Sequence, residues 1–251
     1  MVLREERGGI RVLRMAHGKV SAMDVSLCEA LAREFDAARE SSVRAVVVTG
    51  TGSSFSAGVD LFQVLAGGAD YVARFLPVLD LMLRGALTLP KPLVAAVNGH
   101  AIAGGCILVA ACDHRVMAEG NGRVGIPELL VGVPFPTLPL EIMAARVPPA
   151  SLRDLVFSGR TVSAVDAVAA GLVDETCPAD RLIDRACEVA ERMATIRAGA
   201  FALTKEAMWR PLLEHVRQLA DVDARVVEEW RNPATYTAIR AYLERTLGQK
   251  K

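Results

Sequence analysis

Residues 91–116 decide the fold, and they read KPLVAAVNGHAIAGGCILVAACDHRV. The run Leu93–Gly99 is apolar and ends in glycine, which is typical of a strand buried on both faces of a parallel sheet. The apolar run Ala101–Cys112 has the length of a buried helix. His114–Ala118 then predicts another strand, so the stretch encodes a strand, a helix and a strand.

The same pattern occurs earlier in the chain. Arg44–Gly50, RAVVVTG, predicts a further buried strand, and Val2–Glu6 and Gly9–Met15 predict an opening hairpin. The apolar spacing of Ser21–Arg39 predicts a helix. Because helical segments separate the strands, we expect an α/β core of right-handed βαβ units up to about residue 175.

The pattern from Pro178 onward is wholly helical. We expect helices at Arg181–Thr195, Phe201–Trp230 and Thr235–Leu247, the second of them broken near Pro211. The sequence thus predicts two regions, an α/β core at 1–175 that carries the site and a helical region at 176–251 that serves in assembly and contributes part of the site.

Composition limits the classes of partner. The chain has 251 residues, of which 52% are hydrophobic and 23% charged, enough for a large buried core. Lysine plus arginine and aspartate plus glutamate each number 29, so the formal net charge is zero. A neutral chain without a basic run gives no electrostatic basis for binding nucleic acid or an anionic membrane. We therefore expect neither as a partner.

The first residues and the cysteines predict a compartment. MVLREERGGIRVLRM is charged and lacks the apolar core of a signal peptide, and no apolar run reaches the roughly 18 residues of a membrane span. The five cysteines have neither CxxC nor HxxxH spacing, which favours reduced thiols over disulfides or zinc. We expect a cytoplasmic protein without a bound metal.

Two turns after buried strands have the chemistry of an anion site. In SSFSAGVDL, residues 53–61, Gly58 can adopt a positive φ and Asp60 can cap a helix that starts at Leu61. The second turn leads through Gly104-Gly105 into the apolar helix, whose first N–H groups are free. Together the turns could place one amide each around a single oxyanion. Taken alone, the first turn is equally consistent with an ordinary strand–turn–helix connection.

These motifs together resemble the crotonase superfamily, the enoyl-CoA hydratases and isomerases. The resemblance is carried by residues 53–61, by residues 91–116 and by GIPELLVGV at 125–133, and it extends over nearly the whole chain. It implies a spiral of ββα units with a C-terminal helical region, assembled as a trimer or a dimer of trimers. It also implies an acyl-CoA thioester as substrate, with coenzyme A entering as part of it and no separate cofactor.

The resemblance also assigns residues. The backbone N–H groups of Val59 and Gly104 would form the oxyanion hole, and backbone groups of Ala57 and Leu61 would meet the adenine end of coenzyme A. Small residues from Ser56 onward let backbone approach the ligand closely, and Phe135 would shape the acyl pocket. Phe62 stands where relatives often carry a phosphate-binding lysine, so other basic groups must serve: Arg14, Lys19 or a neighbouring subunit's Arg240, Arg245 and C-terminal lysines.

The decisive chemistry lies in the carboxylates. Hydratases of this family use two glutamates, and Ile107 occupies the position of the first. Glu128 matches the second, and its apolar neighbours predict a raised pKa, although a lone glutamate is more often solvated. One carboxylate beside an oxyanion hole suits Δ3,Δ2-enoyl-CoA isomerisation, in which Glu128 moves a proton from C2 to C4.

Other functions stay open at this point. A weak hydratase and a non-catalytic acyl-CoA-binding protein are both compatible with Ile107. A serine hydrolase is disfavoured, since Ser56 lies in no GxSxG motif. Cys106, in the first turn of the predicted helix, is better explained as a buried small apolar residue than as a nucleophile.

Overall fold

The computed structural model describes residues 1–248, with side chains up to Thr246. Its strands are β1 (Val2–Arg7), β2 (Ile10–Met15), β3 (Ala45–Thr49), β4 (Ser54–Ser56), β5 (Leu93–Val97), β6 (His100–Ile102), β7 (His114–Ala118), β8 (Val124–Gly125), β9 (Thr161–Val162) and β10 (Glu175–Cys177). Its helices are α1 (Val25–Glu40), α2 (Leu61–Leu87), α3 (Gly104–Ala111), α4 (Glu128–Val131), α5 (Thr137–Arg146), α6 (Pro149–Ser158), α7 (Ala164–Ala169), α8 (Leu182–Met193), α9 (Ala198–Gln218), α10 (Ala220–Trp230) and α11 (Pro233–Gly248). Over this range no helix combines the length and apolarity needed to cross a bilayer.

The larger sheet has the strand order β1-β2-β3-β5-β7-β10. The predicted hairpin is confirmed: β1 and β2 pair antiparallel, and Arg7 faces Ile10 across a turn in which Gly8 and Gly9 have φ of 57° and 85°. The remaining neighbours are parallel, and β3 and β5 are buried along their whole length. The apolar runs around Val47 and Ala95 therefore form the buried parallel strands that the sequence predicted.

A second, smaller sheet has the order β4-β6-β8-β9, with strands of two or three residues. Three times in succession the chain adds a strand to the large sheet, then one to the small sheet, then a helix: β3-β4-α2, β5-β6-α3 and β7-β8-α4. This succession confirms the predicted α/β fold of ββα units. It also brings the turns after β4 and β6 together, because those strands are parallel neighbours.

Helices cover both faces of the large sheet. Val46 and Val48 of β3 belong to the main core with α1 and α2, whereas Val47 packs in a separate cluster with Ala186 and Val189 of α8. Alternate residues of a strand point to opposite faces, which explains this division. Since α8 covers the sheet and β10 forms its edge, residues 175–193 lie with the sheet. The division at residue 175 stays a prediction.

Two predicted helices have different bounds in the structure. Helix α1 begins at Val25 rather than Ser21, because the Asp24 carboxylate caps it by accepting the Leu27 N–H at 2.8 Å. The predicted break near Pro211 is wrong: α9 runs through Pro211 and ends at Gln218, and α10 begins at Ala220. Burial of Trp209 and Val216 against the core, on either side of the proline, holds the helix together.

Candidate active site

The turns after β4 and β6 are in direct contact. Gly58 has a φ of 80°, and a Cβ placed on it would lie 2.5 Å from the Ile102 carbonyl oxygen and 3.2 Å from the Gly104 nitrogen. Glycine is therefore required here for two reasons, the left-handed backbone and the close approach. A Cβ on Gly104 would in turn lie 3.9 Å from a methyl of Val59. The predicted convergence of the two turns is thus present in the backbone.

The orientation of Val59 follows from its neighbours. The Met23 N–H donates to the Gly58 carbonyl at 2.7 Å, and the Asp60 N–H donates to the Met23 carbonyl at 2.9 Å. In such a parallel bridge the residue between the two bonded ones points its own N–H to the opposite side. Within residues 1–248, the Val59 N–H meets neither a backbone nor a side-chain acceptor. Asp60 also caps α2 as predicted, accepting N–H bonds from Phe62 and Gln63.

Gly104 is the first residue of α3. Ala103 before it has a φ of 50° and a ψ of −125°, and its N–H donates to the Gly125 carbonyl at 2.8 Å. Positive φ is strained for a residue with a Cβ, so the neighbouring strand fixes this turn. First-turn N–H groups have no acceptor within their own helix, and the dipole makes this end positive. In the described chain the Gly104 N–H likewise has no acceptor.

Glu128 is the charged group of the site. Its side chain is 7% exposed, and among the described residues its Oε2 atom has no hydrogen-bond partner. Burial raises the pKa of Glu128 to about 8, and its own backbone N–H opposes this rise only in part. The rise predicted from its apolar neighbours is confirmed. A carboxyl group with this pKa can both take up and release a proton near neutral pH.

One narrow cavity of about 80 Å³ brings these groups together. Val59, Gly104, Ile107 and Glu128 line it, along with the predicted Ala57 and Leu61. Ile107, only 3% exposed, is thus an apolar wall where a second carboxylate would otherwise stand. The rest of the cavity surface comes from Leu79, Ile102, Ala103, Pro127, Val131, Val133, Pro136, Pro139, Trp230 and Tyr242.

Two predicted binding residues do not reach the cavity. Ser56 is fully buried, and its hydroxyl donates to the Ser21 carbonyl at 2.7 Å and accepts the Gly58 N–H at 3.2 Å. Ser56 therefore stabilises the turn through these two hydrogen bonds and does not line the cavity. Phe135 is buried in the main core, while Val133 and Pro136 on either side of it line the cavity. Sequence position alone could not tell which of these neighbours points inward.

The described basic groups that were expected to meet the coenzyme A phosphates do not line this cavity. Arg14 donates to the Gly50 carbonyl at 3.3 Å, and Lys19 and Arg240 are exposed. The Arg245 guanidinium lies 5.7 Å from the ring centre of Tyr242, a cavity residue of the same chain. The C-terminal lysines, Lys250 and Lys251, lie outside the described residues.

Trp230 and Tyr242 are the main residues that the sequence did not predict, although their helices were expected to serve in assembly and in part of the coenzyme A site. The available signal was a tryptophan at the end of a helix, ADVDARVVEEW, whose other apolar residues are all alanine or valine. Trp230 is 2% exposed and its Nε1–H donates to the Pro134 carbonyl at 2.9 Å. Helices α10 and α11 thus form part of the cavity wall within a single chain.

Other candidate groups carry no comparable chemistry. Cys106 is 1% exposed, and burial raises the pKa of its thiol, so it is the buried apolar residue that the sequence favoured. A larger cleft of about 390 Å³ lies between Arg39 and Trp209, but its buried Lys205 is already paired with Asp113 at 2.6 Å. The smaller cavity with the unpartnered carboxylate is the better candidate.

Comparisons with known proteins identify the family of this chain. A family model described as enoyl-CoA hydratase/isomerase matches residues 5–249. A putative enoyl-CoA hydratase of Thermus thermophilus is 39% identical over 189 residues, covering 74% of this chain and 73% of that protein. The solved structure of an enoyl-CoA isomerase from Mycobacterium tuberculosis has a TM-score of 0.82 at 32% identity, covering 89% of this chain and 97% of that one.

The human mitochondrial Δ3-Δ2-enoyl-CoA isomerase has the same fold, with a TM-score of 0.93 at 23% identity over 100% of this chain and 99% of its own. The family match covers nearly every residue, including both turns and Glu128. The chain therefore belongs to the enoyl-CoA hydratase/isomerase family, the crotonase superfamily, and is an enzyme of acyl-CoA thioesters.

Proposed function

We propose that this enzyme moves the double bond of a 3-enoyl-CoA thioester to the 2-position. The observation that carries the proposal is the buried carboxylate of Glu128, whose Oε2 atom has no hydrogen-bond partner among the described residues, on the wall of the cavity that Val59 and Gly104 also line. An unpartnered buried carboxyl group destabilises the folded protein. A catalytic role accounts for its presence, because such a group exchanges protons readily near neutral pH.

The reaction requires one base and one oxyanion site. Ionised Glu128 would take a proton from C2 of the 3-enoyl group, leaving a dienolate whose negative charge rests on the thioester oxygen. The N–H groups of Val59 and Gly104 would donate to that oxygen, and preorganised donors of this kind stabilise developing charge strongly. Protonated Glu128 would then return the same proton to C4, which leaves the double bond between C2 and C3.

The apolar wall at Ile107 supports isomerisation over hydration. Addition of water to a 2-enoyl thioester needs groups that hold and activate the water molecule, and an isoleucine side chain neither accepts nor donates a proton. Proton transfer within the substrate needs no water, and an apolar cavity excludes it. No electron acceptor is needed either, so coenzyme A would enter only as part of the substrate.

Coenzyme A would lie along the first turn. The Ala57 N–H already donates to the Val20 carbonyl at 3.0 Å, so the Ala57 carbonyl is the group left to face the adenine end. The Leu61 backbone stands at the start of α2, beside the same turn. Assembly as a trimer or a dimer of trimers stays a prediction, which analytical ultracentrifugation would test.

The test compares Glu128→Gln with Glu119→Gln, a matched change at an exposed glutamate. Formation of the conjugated 2-enoyl thioester from 3-enoyl-CoA is followed by ultraviolet absorbance, and acyl-CoA binding by calorimetry. We expect Glu128→Gln to lose roughly a thousandfold or more in kcat, because it removes the proposed base, and to retain binding. Unchanged turnover in Glu128→Gln would rule out this role, and binding without turnover in the unmodified protein would support a non-catalytic binder.

The Ile107→Glu variant separates isomerase from hydratase. It restores the second carboxylate, so we expect it to gain hydration of 2-enoyl-CoA that the unmodified protein lacks. Strong hydration by the unmodified protein, without that carboxylate, would favour the hydratase alternative.

A further inference from the structure

The cavity has an exposed mouth and a buried floor. Ala57, at its edge, is exposed. Leu79, Val133 and Trp230, which also line it, are 4%, 3% and 2% exposed and therefore lie on its inner side. The volume of about 80 Å³ is far below the roughly 300–1,000 Å³ of typical ligand pockets. A cavity of this volume leaves little room for a long acyl chain.

Helix α10 fixes the wall that limits this space. The Trp230 Nε1–H donates to the Pro134 carbonyl at 2.9 Å. At the other end of α10, one Asp223 carboxylate oxygen accepts the Thr137 N–H at 2.8 Å and the Thr137 hydroxyl at 2.6 Å. The segment 133–137 is thus tied to α10 at two points. The wall cannot recede without breaking these bonds, so a longer acyl chain cannot simply push it aside.

The lining also determines which charge is tolerated. Among the described residues, Glu128 is the one charged side chain of the cavity wall, and the others are apolar or aromatic. A carboxylate at the far end of an acyl chain would meet no lysine or arginine there. An unpaired charge in an apolar site is strongly unfavourable.

From these contacts we propose that Trp230 sets the length limit of the acyl group, so that the site takes short, uncharged acyl thioesters. The proposal rests on the proposed function for the identity of the site. The indole forms part of the inner end of the cavity, and its hydrogen bond to Pro134 keeps it there. The volume of this ring therefore limits the length of the acyl chain. The lack of a cation in the described lining disfavours a charged group at the end of that chain.

Binding of saturated acyl-CoA thioesters tests the proposal without requiring turnover. Butanoyl-, hexanoyl-, decanoyl-, hexadecanoyl- and adipoyl-CoA are titrated into the unmodified protein by calorimetry. We expect decanoyl-CoA to bind at least about tenfold more weakly than butanoyl-CoA, and adipoyl-CoA at least about tenfold more weakly than hexanoyl-CoA. Equal affinity for butanoyl- and hexadecanoyl-CoA would overturn the length limit.

Two leucine substitutions locate the limit. Trp230→Leu shortens the side chain at the cavity floor, and Trp209→Leu makes the same change at the chain's other tryptophan, which is buried in α9 outside the cavity. We expect Trp230→Leu to raise the affinity for decanoyl-CoA relative to that for butanoyl-CoA by about tenfold. Trp209→Leu should leave the ratio of the two affinities unchanged. If both variants change this ratio equally, or if neither changes it, Trp230 does not set the length limit.

A third variant guards against a general loss of structure. Trp230→Phe keeps an aromatic ring but removes the donor to Pro134, so we expect it to lose part of the preference for short chains, and less of it than Trp230→Leu loses. If affinity falls with acyl length as expected but no 3-enoyl-CoA is converted, the proposed function fails and the inference on acyl length stands. If short and long 3-enoyl thioesters are converted equally well, the inference fails and the proposed function stands.

Discussion

Glu128→Gln should stabilise the protein, and increasingly so as the pH rises. Burial raises the pKa of Glu128 from its ordinary 4.5 to about 8. The folded protein therefore keeps a proton that the unfolded chain releases above about pH 4.5. Stability must fall with pH across that window, because the folded state binds more protons than the unfolded state. Above about pH 8 Glu128 is ionised in both the folded and the unfolded protein, and the loss of stability is complete.

The size of the effect follows from the same two values. The difference between the pKa values of 4.5 and about 8 corresponds to roughly 5 kcal/mol of unfolding free energy once the group is fully ionised. This is an upper value, because side chains and water relax around the charge. Glutamine has nearly the same shape and does not titrate. We therefore expect the variant's advantage in unfolding free energy to grow from about 1 kcal/mol at pH 5 to about 4 kcal/mol at pH 8.

Urea denaturation at several pH values, followed by fluorescence and circular dichroism, measures this difference. Other titrating groups are common to both proteins, so subtracting the two curves isolates residue 128. Glu119→Gln, at an exposed glutamate, should show no comparable pH dependence. If the difference is independent of pH, or if the unmodified protein gains stability relative to Glu128→Gln as the pH rises, the carboxylate is solvated or paired and the reasoning fails.

Three further predictions follow from the same contacts. The isomerase kcat/KM should rise about tenfold per pH unit up to about pH 8 and then level off, because Glu128 must be ionised to act as a base; a rate that is flat across this range would assign proton abstraction elsewhere. Gly58→Ala should lose about 2 kcal/mol or more in urea unfolding, together with most activity, since its Cβ meets the Ile102 carbonyl. Gly52→Ala, at a similar φ of 58° but in open space, should keep its activity, and equal behaviour of the two would contradict the contact. Lys205→Met should lose roughly 3–5 kcal/mol of unfolding free energy, because the Asp113 carboxylate keeps the Leu93 N–H but loses its cation. Adding Asp113→Asn should restore much of this stability, and a single variant as stable as the unmodified protein would show that the pair is dispensable.

Much of the fold could be predicted because its signals are local. The runs that contain Val47 and Ala95 are apolar and β-branched or small, so they predict buried strands without knowledge of their partners. Asp60 stands directly before an apolar helix, and its role as a cap needs only neighbouring N–H groups. By contrast, β8 and β9 have two residues each and owe their pairing to tertiary position, so no periodic pattern marks them.

The site was predictable only where its chemistry is local. Glu128 follows a proline and precedes apolar residues, and burial of its carboxyl group could be anticipated from that. Trp230 lies about a hundred residues further along the chain and reaches the cavity through the packing of α10, which no local pattern encodes. Phe135 and Val133 are both apolar and two residues apart, yet only Val133 lines the cavity, because the irregular backbone between them breaks simple alternation.

A crystal structure of the Glu128→Gln variant with a bound 3-enoyl-CoA would probe the catalytic geometry most directly. We expect the thioester oxygen to accept hydrogen bonds from both Val59 N–H and Gly104 N–H, at about 3 Å each, with the residue 128 side chain beside C2. A thioester oxygen bound elsewhere, or reached by only one of these amides, would contradict the central claim.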